Sequence, residues 1–140
     1  TGYVGSVVPA KHRQIFDLVC QGRDAALTFV RREIAAGHRP FGWEADNACR
    51  EVIQRGGYGD HFVHRTGHSI GEEVHGNGAN IDSLETQDTR RLMPRTCFSI
   101  EPGIYLPGEF GIRSELDVYL AEREALVFGL PLQNEIVPLF

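Results

Sequence analysis

The apolar pattern of this 140-residue chain changes period once, near Tyr58, and that change restricts it to helices first and strands after. Before Tyr58, Ile15, Phe16, Val19, Leu27, Val30 and Ile34 recur at spacings of three and four or their multiples, as one helix face requires. Pro9 suits a helix start, and Gly37 followed by His38-Arg39-Pro40 suits a stop. This predicts one amphipathic helix over 10–36 and a shorter one over 43–54, closed by Gly56-Gly57. After Tyr58, short apolar runs alternate with glycine. Residues 98–101 predict a strand halted by Pro102-Gly103, 104–106 a second, and 111–121 the best one. That last strand puts Ile112, Ser114, Leu116, Val118 and Leu120 on one face and Arg113, Glu115, Asp117 and Tyr119 on the other. The opening residues, 1–8, read as a strand already under way. Helices and strands that do not alternate predict an α+β fold with an antiparallel sheet, in one domain over 1–140.

Charge excludes some partners. The formal net charge is -5 with no run of Lys or Arg, so nucleic acid is not an expected partner. No apolar stretch is long enough to span a bilayer. Cys20, Cys49 and Cys97 are odd in number and far apart, which suggests neither a disulfide framework nor a zinc pair. A reducing, cytoplasmic setting is the expectation that follows.

Three segments carry candidate chemistry. Four of the six histidines (His61, His64, His68 and His75) fall in one glycine-rich stretch. His64 and His68 are four apart, but Thr66, Gly67 and Gly71 argue against a helical zinc pair, so a loop or strand presents His68. Glu101 ends an apolar strand at a rigid Pro-Gly corner, and Glu115 lies on the charged face of 111–121. A solvated sheet face, a strand-end glutamate reaching water and surface histidines in a turn account for each feature singly. Taken together, one imidazole and two carboxylates from separate segments equally fit divalent ions such as Mn, Co or Zn. Two bridging carboxylates suit a pair of ions sharing one hydroxide, and the spare His64 and His75 could orient substrate or move protons.

Those segments resemble the pita-bread metallopeptidases of the Xaa-Pro aminopeptidase and prolidase type. The resemblance rests on His64-Arg65-Thr66-Gly67-His68-Ser69-Ile70-Gly71-Glu72-Glu73-Val74-His75, on Phe98-Ser99-Ile100-Glu101-Pro102-Gly103-Ile104-Tyr105, and on Gly111-Ile112-Arg113-Ser114-Glu115. It implies a partial pita-bread fold, the C-terminal part of a catalytic domain, with helices on a curved antiparallel sheet. It implies hydrolysis of the bond between an N-terminal residue and a following proline, with two divalent metal ions, manganese ahead of cobalt or zinc. Under it, His68, Glu101 and Glu115 ligate metal and Glu101 also shuttles protons. His64 and His75 line the substrate pocket, and Arg113 supports the metal-site carboxylates. The partner is a peptide with proline at its second position, and a homodimer stays open.

The chain departs from the family pattern at Glu72, Gly76 and Leu116. The family also uses two aspartates from an upstream ribbon, which are expected before Thr1. The implied consequences are little or no turnover by these 140 residues alone, lowered stability and association through an uncovered sheet edge. Arg113 argues against the methionine aminopeptidase branch. Retention of His68, Glu101 and Glu115 argues against a metal-free creatinase-like hydrolase. A non-catalytic peptide-binding module of the same fold remains the reading from a different class.

Overall fold

The computed structural model describes residues 1–140. It has a layer of two helices against an antiparallel sheet, as the order of sequence patterns requires. Helix α1 (Ala10–Ala35) starts after Pro9 and buries Ile15, Phe16, Val19, Leu27, Val30 and Ile34, the face expected from their spacing. It closes in a Schellman turn: Gly37 N–H donates to Ile34 O (2.9 Å) and His38 N–H to Glu33 O (2.9 Å). Gly37 sits at φ +85°, a conformation that a Cβ would strain. Helix α2 (Gly42–Arg55) begins with Glu44 accepting the Phe41 N–H (2.8 Å) and packs on α1.

The strands are β1 (Gly2–Tyr3), β2 (Ser69–Ile70), β3 (Cys97–Ile100), β4 (Gly103–Leu106), β5 (Phe110–Arg113), β6 (Leu116–Leu120), β7 (Ala125–Phe128) and β8 (Val137–Pro138). The principal sheet has the order β2-β3-β6-β7, all antiparallel. β4 pairs with β5, and β1 pairs in parallel with β8. The sheet's apolar face and the helix stripes share one buried core in which Phe16, Phe62, Phe98, Ile100 and Leu120 are almost fully enclosed.

Two expectations need correction. Residues 1–8 are not a strand throughout, because only Gly2–Tyr3 finds a partner. The strand expected over 111–121 is two strands, β5 and β6, in different sheets. The break falls at Ser114-Glu115, opposite Glu101-Pro102. Proline has no N–H to offer a ladder, and the ladder stops there. The expected side-chain alternation survives: Ile112, Ser114, Leu116, Val118 and Leu120 are all buried. Register survives too. Ile100 faces Leu116 on one side of the break and Gly103 faces Arg113 on the other. The same antiparallel register therefore sets Glu101 opposite Glu115.

The loop before β3 is tied to the start of α2 by buried Asp88. Its carboxylate accepts the N–H groups of Asn80 (2.8 Å) and Arg90 (2.9 Å) and the Arg90 guanidinium, while Trp43 N–H donates to its carbonyl (3.3 Å). Burial acts to raise this carboxyl, but the Arg90 guanidinium and the two N–H groups outweigh it and hold it below its ordinary value of 3.8. A carboxyl depressed by folding stabilises above its unfolded pKa and loses that stabilisation as pH falls through the folded value. Thermal melts from pH 6 to pH 2.5 are therefore expected to show a smaller acid-induced drop in Tm for Asp88→Asn than for the parent protein, with the parent more stable at pH 6.

Candidate active site

The six residues expected from sequence, His64, His68, His75, Glu101, Arg113 and Glu115, line one open pocket of about 370 Å3, together with Arg65 and Glu85. No hydrophobic side chain lines it. A larger depression of about 550 Å3 between α1 and β7 is mainly apolar and offers no comparable group of donors.

His68 is fixed by the loop that carries it. Gly67 N–H donates to Ile81 O (3.1 Å), His68 N–H to Ser99 Oγ (3.0 Å), and Glu101 N–H to Thr66 O (2.7 Å). The loop lies so close to β3 that a Cβ on Gly67 would fall 1.9 Å from Ser99 O. Only glycine permits that approach, and it brings His68 Nε2 to 3.3 Å from Glu101 Oε1. His68 Nδ1 lies 3.0 Å from Ser69 O. A carbonyl can only accept, so Nδ1 carries the proton, and in the neutral ring the Nε2 lone pair faces the carboxylate.

Glu101 is largely enclosed, and its second oxygen accepts from Arg113 Nη1 (2.9 Å). Ser99 Oγ also lies 3.3 Å from Glu101 Oε1. Arg113 Nε donates to Tyr105 Oη (2.9 Å), and that oxygen is 3.0 Å from His64 Nε2. His64 Nδ1 is 2.7 Å from Arg65 O, so His64 presents Nε2 as an acceptor for the Tyr105 hydroxyl. Burial is the main cause that lowers the His64 pKa, and Arg113 lowers it further against the opposing pull of the Arg65 carbonyl. His75 is exposed, and its ring centroid is 4.2 Å from that of His68.

Glu115 opens onto the pocket from the far side of the interrupted ladder. Partial burial raises its pKa, and Glu101 and Asp117 raise it further, while Arg113 and His68 oppose them. Like charges directly opposite in an antiparallel pair repel. The donor set is one imidazole nitrogen and two carboxylates, with an acceptor atom of His68 turned toward Glu101. This chemistry fits divalent ions, and a ligating histidine commonly donates its other N–H to a carbonyl, as His68 does. No three of the His, Cys, Asp and Glu donors converge closely enough to chelate one ion.

The profile of metallopeptidase family M24 matches residues 1–122. The chain belongs to the M24 family. It is 37% identical over 105 residues to an Xaa-Pro dipeptidase of Lactobacillus helveticus, covering 75% of this chain and 26% of that protein. A crystal structure of an X-Pro aminopeptidase from Thermotoga maritima superposes with a TM-score of 0.79 at 30% identity, covering 97% of this chain and 35% of the other. An Xaa-Pro dipeptidase from Bacillus anthracis superposes with a TM-score of 0.81 at 28% identity, covering 99% and 36%. The M24 chain thus has the pita-bread α+β fold and spans about a quarter to a third of these relatives' length.

Sequence reasoning missed four contributors to this M24 pocket. Tyr105 looked like one aromatic in a strand, yet its hydroxyl joins His64 to Arg113. Glu85 and Arg65 form an ion pair at the rim (3.6 Å) although they are distant in sequence. Ser99 lies within the strand expected over 98–101, yet its hydroxyl holds the His68 backbone. The signal available for Ser99 and Tyr105 was their spacing of two and four residues from Glu101.

Gly67→Ala tests the close approach. It is expected to cost about 1–3 kcal/mol, as overpacking does, measured by denaturant unfolding, and to displace the His68 imidazole signals in NMR spectra. A variant as stable as the parent with unmoved His68 signals contradicts the geometry.

Proposed function

We propose that this chain supplies His68, Glu101 and Glu115 as metal ligands to a hydrolase that cleaves the peptide bond between an N-terminal residue and a following proline. The observation that carries this reading is the opposition of Glu101 and Glu115 across an interrupted ladder, with His68 Nε2 beside the first of them. Glu101 has Arg113 as its ion-pair partner and Glu115 has none, so the two facing carboxylates gain from a shared cation and repel each other without one. M24 membership and the Xaa-Pro relatives support the reaction class. Divalent metal ions bound there, manganese first among them, would supply water activation and polarisation of the scissile carbonyl.

The chain's own residues divide the remaining work. Glu101 is the proton carrier: Arg113 holds Oε2, and Oε1, with only longer 3.3 Å contacts to Ser99 Oγ and His68 Nε2, takes and returns the proton of the attacking water. Arg113 also steadies Tyr105. His64, whose pKa is lowered by burial and by Arg113, lines the pocket and acts through the Tyr105 hydroxyl that its Nε2 accepts. His75 stands over His68 on the exposed rim, where a bound peptide would pass.

Proline release from an Xaa-Pro dipeptide in the presence of Mn(II) measures this reading. With the complete polypeptide that carries this chain, Glu101→Gln is expected to lower kcat by about 100-fold or more while KM changes little. His68→Ala and Glu115→Ala are expected to weaken Mn(II) binding. Because these three donors alone do not converge to chelate an ion, the 140 residues by themselves are expected to release little proline. Unchanged turnover in Glu101→Gln, or Mn(II) binding indifferent to His68→Ala and Glu115→Ala, overturns the assignment.

A further inference from the structure

Buried Asp46 on α2 has no place among the candidate ligands, yet it bonds to two of the loops that carry pocket residues, at Thr66 and at Ser83. It is fully buried, and its carboxylate is surrounded by donors. Oδ1 accepts the Thr66 N–H (2.8 Å) and Arg50 Nη2 (3.1 Å). Oδ2 accepts Arg50 Nε (2.9 Å), the Ser83 N–H (3.1 Å) and the Ser83 hydroxyl. Arg50 then reaches onward from the same cluster. Nη1 donates to Phe62 O (3.1 Å) and Nη2 to His64 O (2.9 Å), with the guanidinium 4.2 Å from the Phe62 ring centroid.

Two loops meet at this pair. The first, from Phe62 to His68, carries both enclosed histidines of the pocket. The second, through Ser83, carries Glu85, whose carboxylate accepts the Arg65 N–H (3.3 Å). A fully buried carboxylate costs several kcal/mol unless it is paired and hydrogen-bonded. A hydrophobic pair could stabilise the α2 packing at least as well. What an ion pair supplies and a hydrophobic pair does not is directional bonding to specific backbone groups. Those groups are the Thr66 N–H and the His64 carbonyl, which bracket the segment from His64 to Thr66.

We propose that Asp46 and Arg50 are positioning residues of the site, holding the His64–His68 loop and the Ser83–Glu85 loop in mutual register. The pair touches neither substrate nor metal and acts through Thr66, His64 and Ser83. For its catalytic consequence this inference rests on the metallopeptidase reading, but the geometric consequence is measurable without metal.

The test uses the complete polypeptide with Asp46→Asn, Arg50→Lys and Ser83→Ala, and with Val30→Ala as a control in the α1 core. Asparagine keeps the size of Asp46 but turns an NH2 toward donors. Lysine keeps the charge of Arg50 but cannot serve Asp46 and two carbonyls together. In the metal-free protein, the imidazole 1H–15N signals of His64 and His68 are expected to shift or broaden in Asp46→Asn and Arg50→Lys, less in Ser83→Ala, and not in Val30→Ala. The His38 signals, beyond the end of α1, stay put in all four. In the Mn(II)-loaded protein, Asp46→Asn and Arg50→Lys are expected to weaken Mn(II) binding about tenfold, while Val30→Ala lowers Tm without doing so. Should Asp46→Asn fail to fold, Arg50→Lys and Ser83→Ala carry the test. Folded variants with unmoved His64 and His68 signals overturn the proposal. A parent protein that binds no Mn(II) overturns the proposed function instead and leaves the metal-free comparison decisive for positioning.

Discussion

A single antiparallel register runs through β3, the Glu101-Pro102 corner and β4 on one side, and through β5, Ser114-Glu115 and β6 on the other. The rest of the molecule is arranged around that interrupted hairpin. Its apolar side chains, among them Ile100, Ile104, Ile112 and Leu116, close the core against the helices. Its polar side chains, Glu101, Arg113 and Glu115, open into the pocket. The interruption separates these roles. At Pro102 and Ser114 the ladder keeps the bond from Ser114 N–H to Pro102 O (3.3 Å) and loses the reciprocal one, because proline has no N–H. On the other edge of the same strand, Ser99 N–H donates to His68 O (2.9 Å) and Glu101 N–H to Thr66 O (2.7 Å) on the histidine loop. The strand pair and the loop thereby become one unit.

The family assignment and this geometry meet in the same residues. The motifs that mark the chain as M24 lie at the interruption and on the loop bonded to it. Arg113 illustrates the economy of the arrangement, since it bonds Glu101 with one nitrogen and Tyr105 with another. Tyr105 in turn faces His64. Two strand residues, the corner residue Glu101 and the loop residue His64 form a continuous polar chain along the pocket wall, and a change at any one of them is felt by the others.

Much of this was legible in the sequence, and the exceptions have physical reasons. α1 and α2 were legible because a helix buries one stripe and both sequences display it. The six pocket residues were legible because the three motifs specify them. The split of 111–121 was not, because the period-two burial continues across Ser114-Glu115 and only the hydrogen bonding breaks. β7 went unread because burial alternates over just four residues, from Ala125 to Phe128, next to the charged Arg123-Glu124 turn. Residues 1–8 were read as a strand because β-branched and aromatic residues favour extension, but extension requires a partner and only two residues have one. In the sequence Asp46 and Arg50 are one i, i+4 pair of opposite charge, a spacing common on helix surfaces. Nothing local distinguishes such a pair from one buried under two loops.

Arg23 also lies outside its usual setting. It projects from the middle of α1, is buried, and donates from Nη1 to Ser114 Oγ (2.7 Å). Ser114 is the residue before Glu115, at the gap in the ladder. The long helix is thus fastened to the point of the hairpin where the pairing is reduced to one bond, from Ser114 N–H to Pro102 O (3.3 Å). Because α1 grips the hairpin there, the position of the helix is coupled to the residue beside Glu115 as well as to the core.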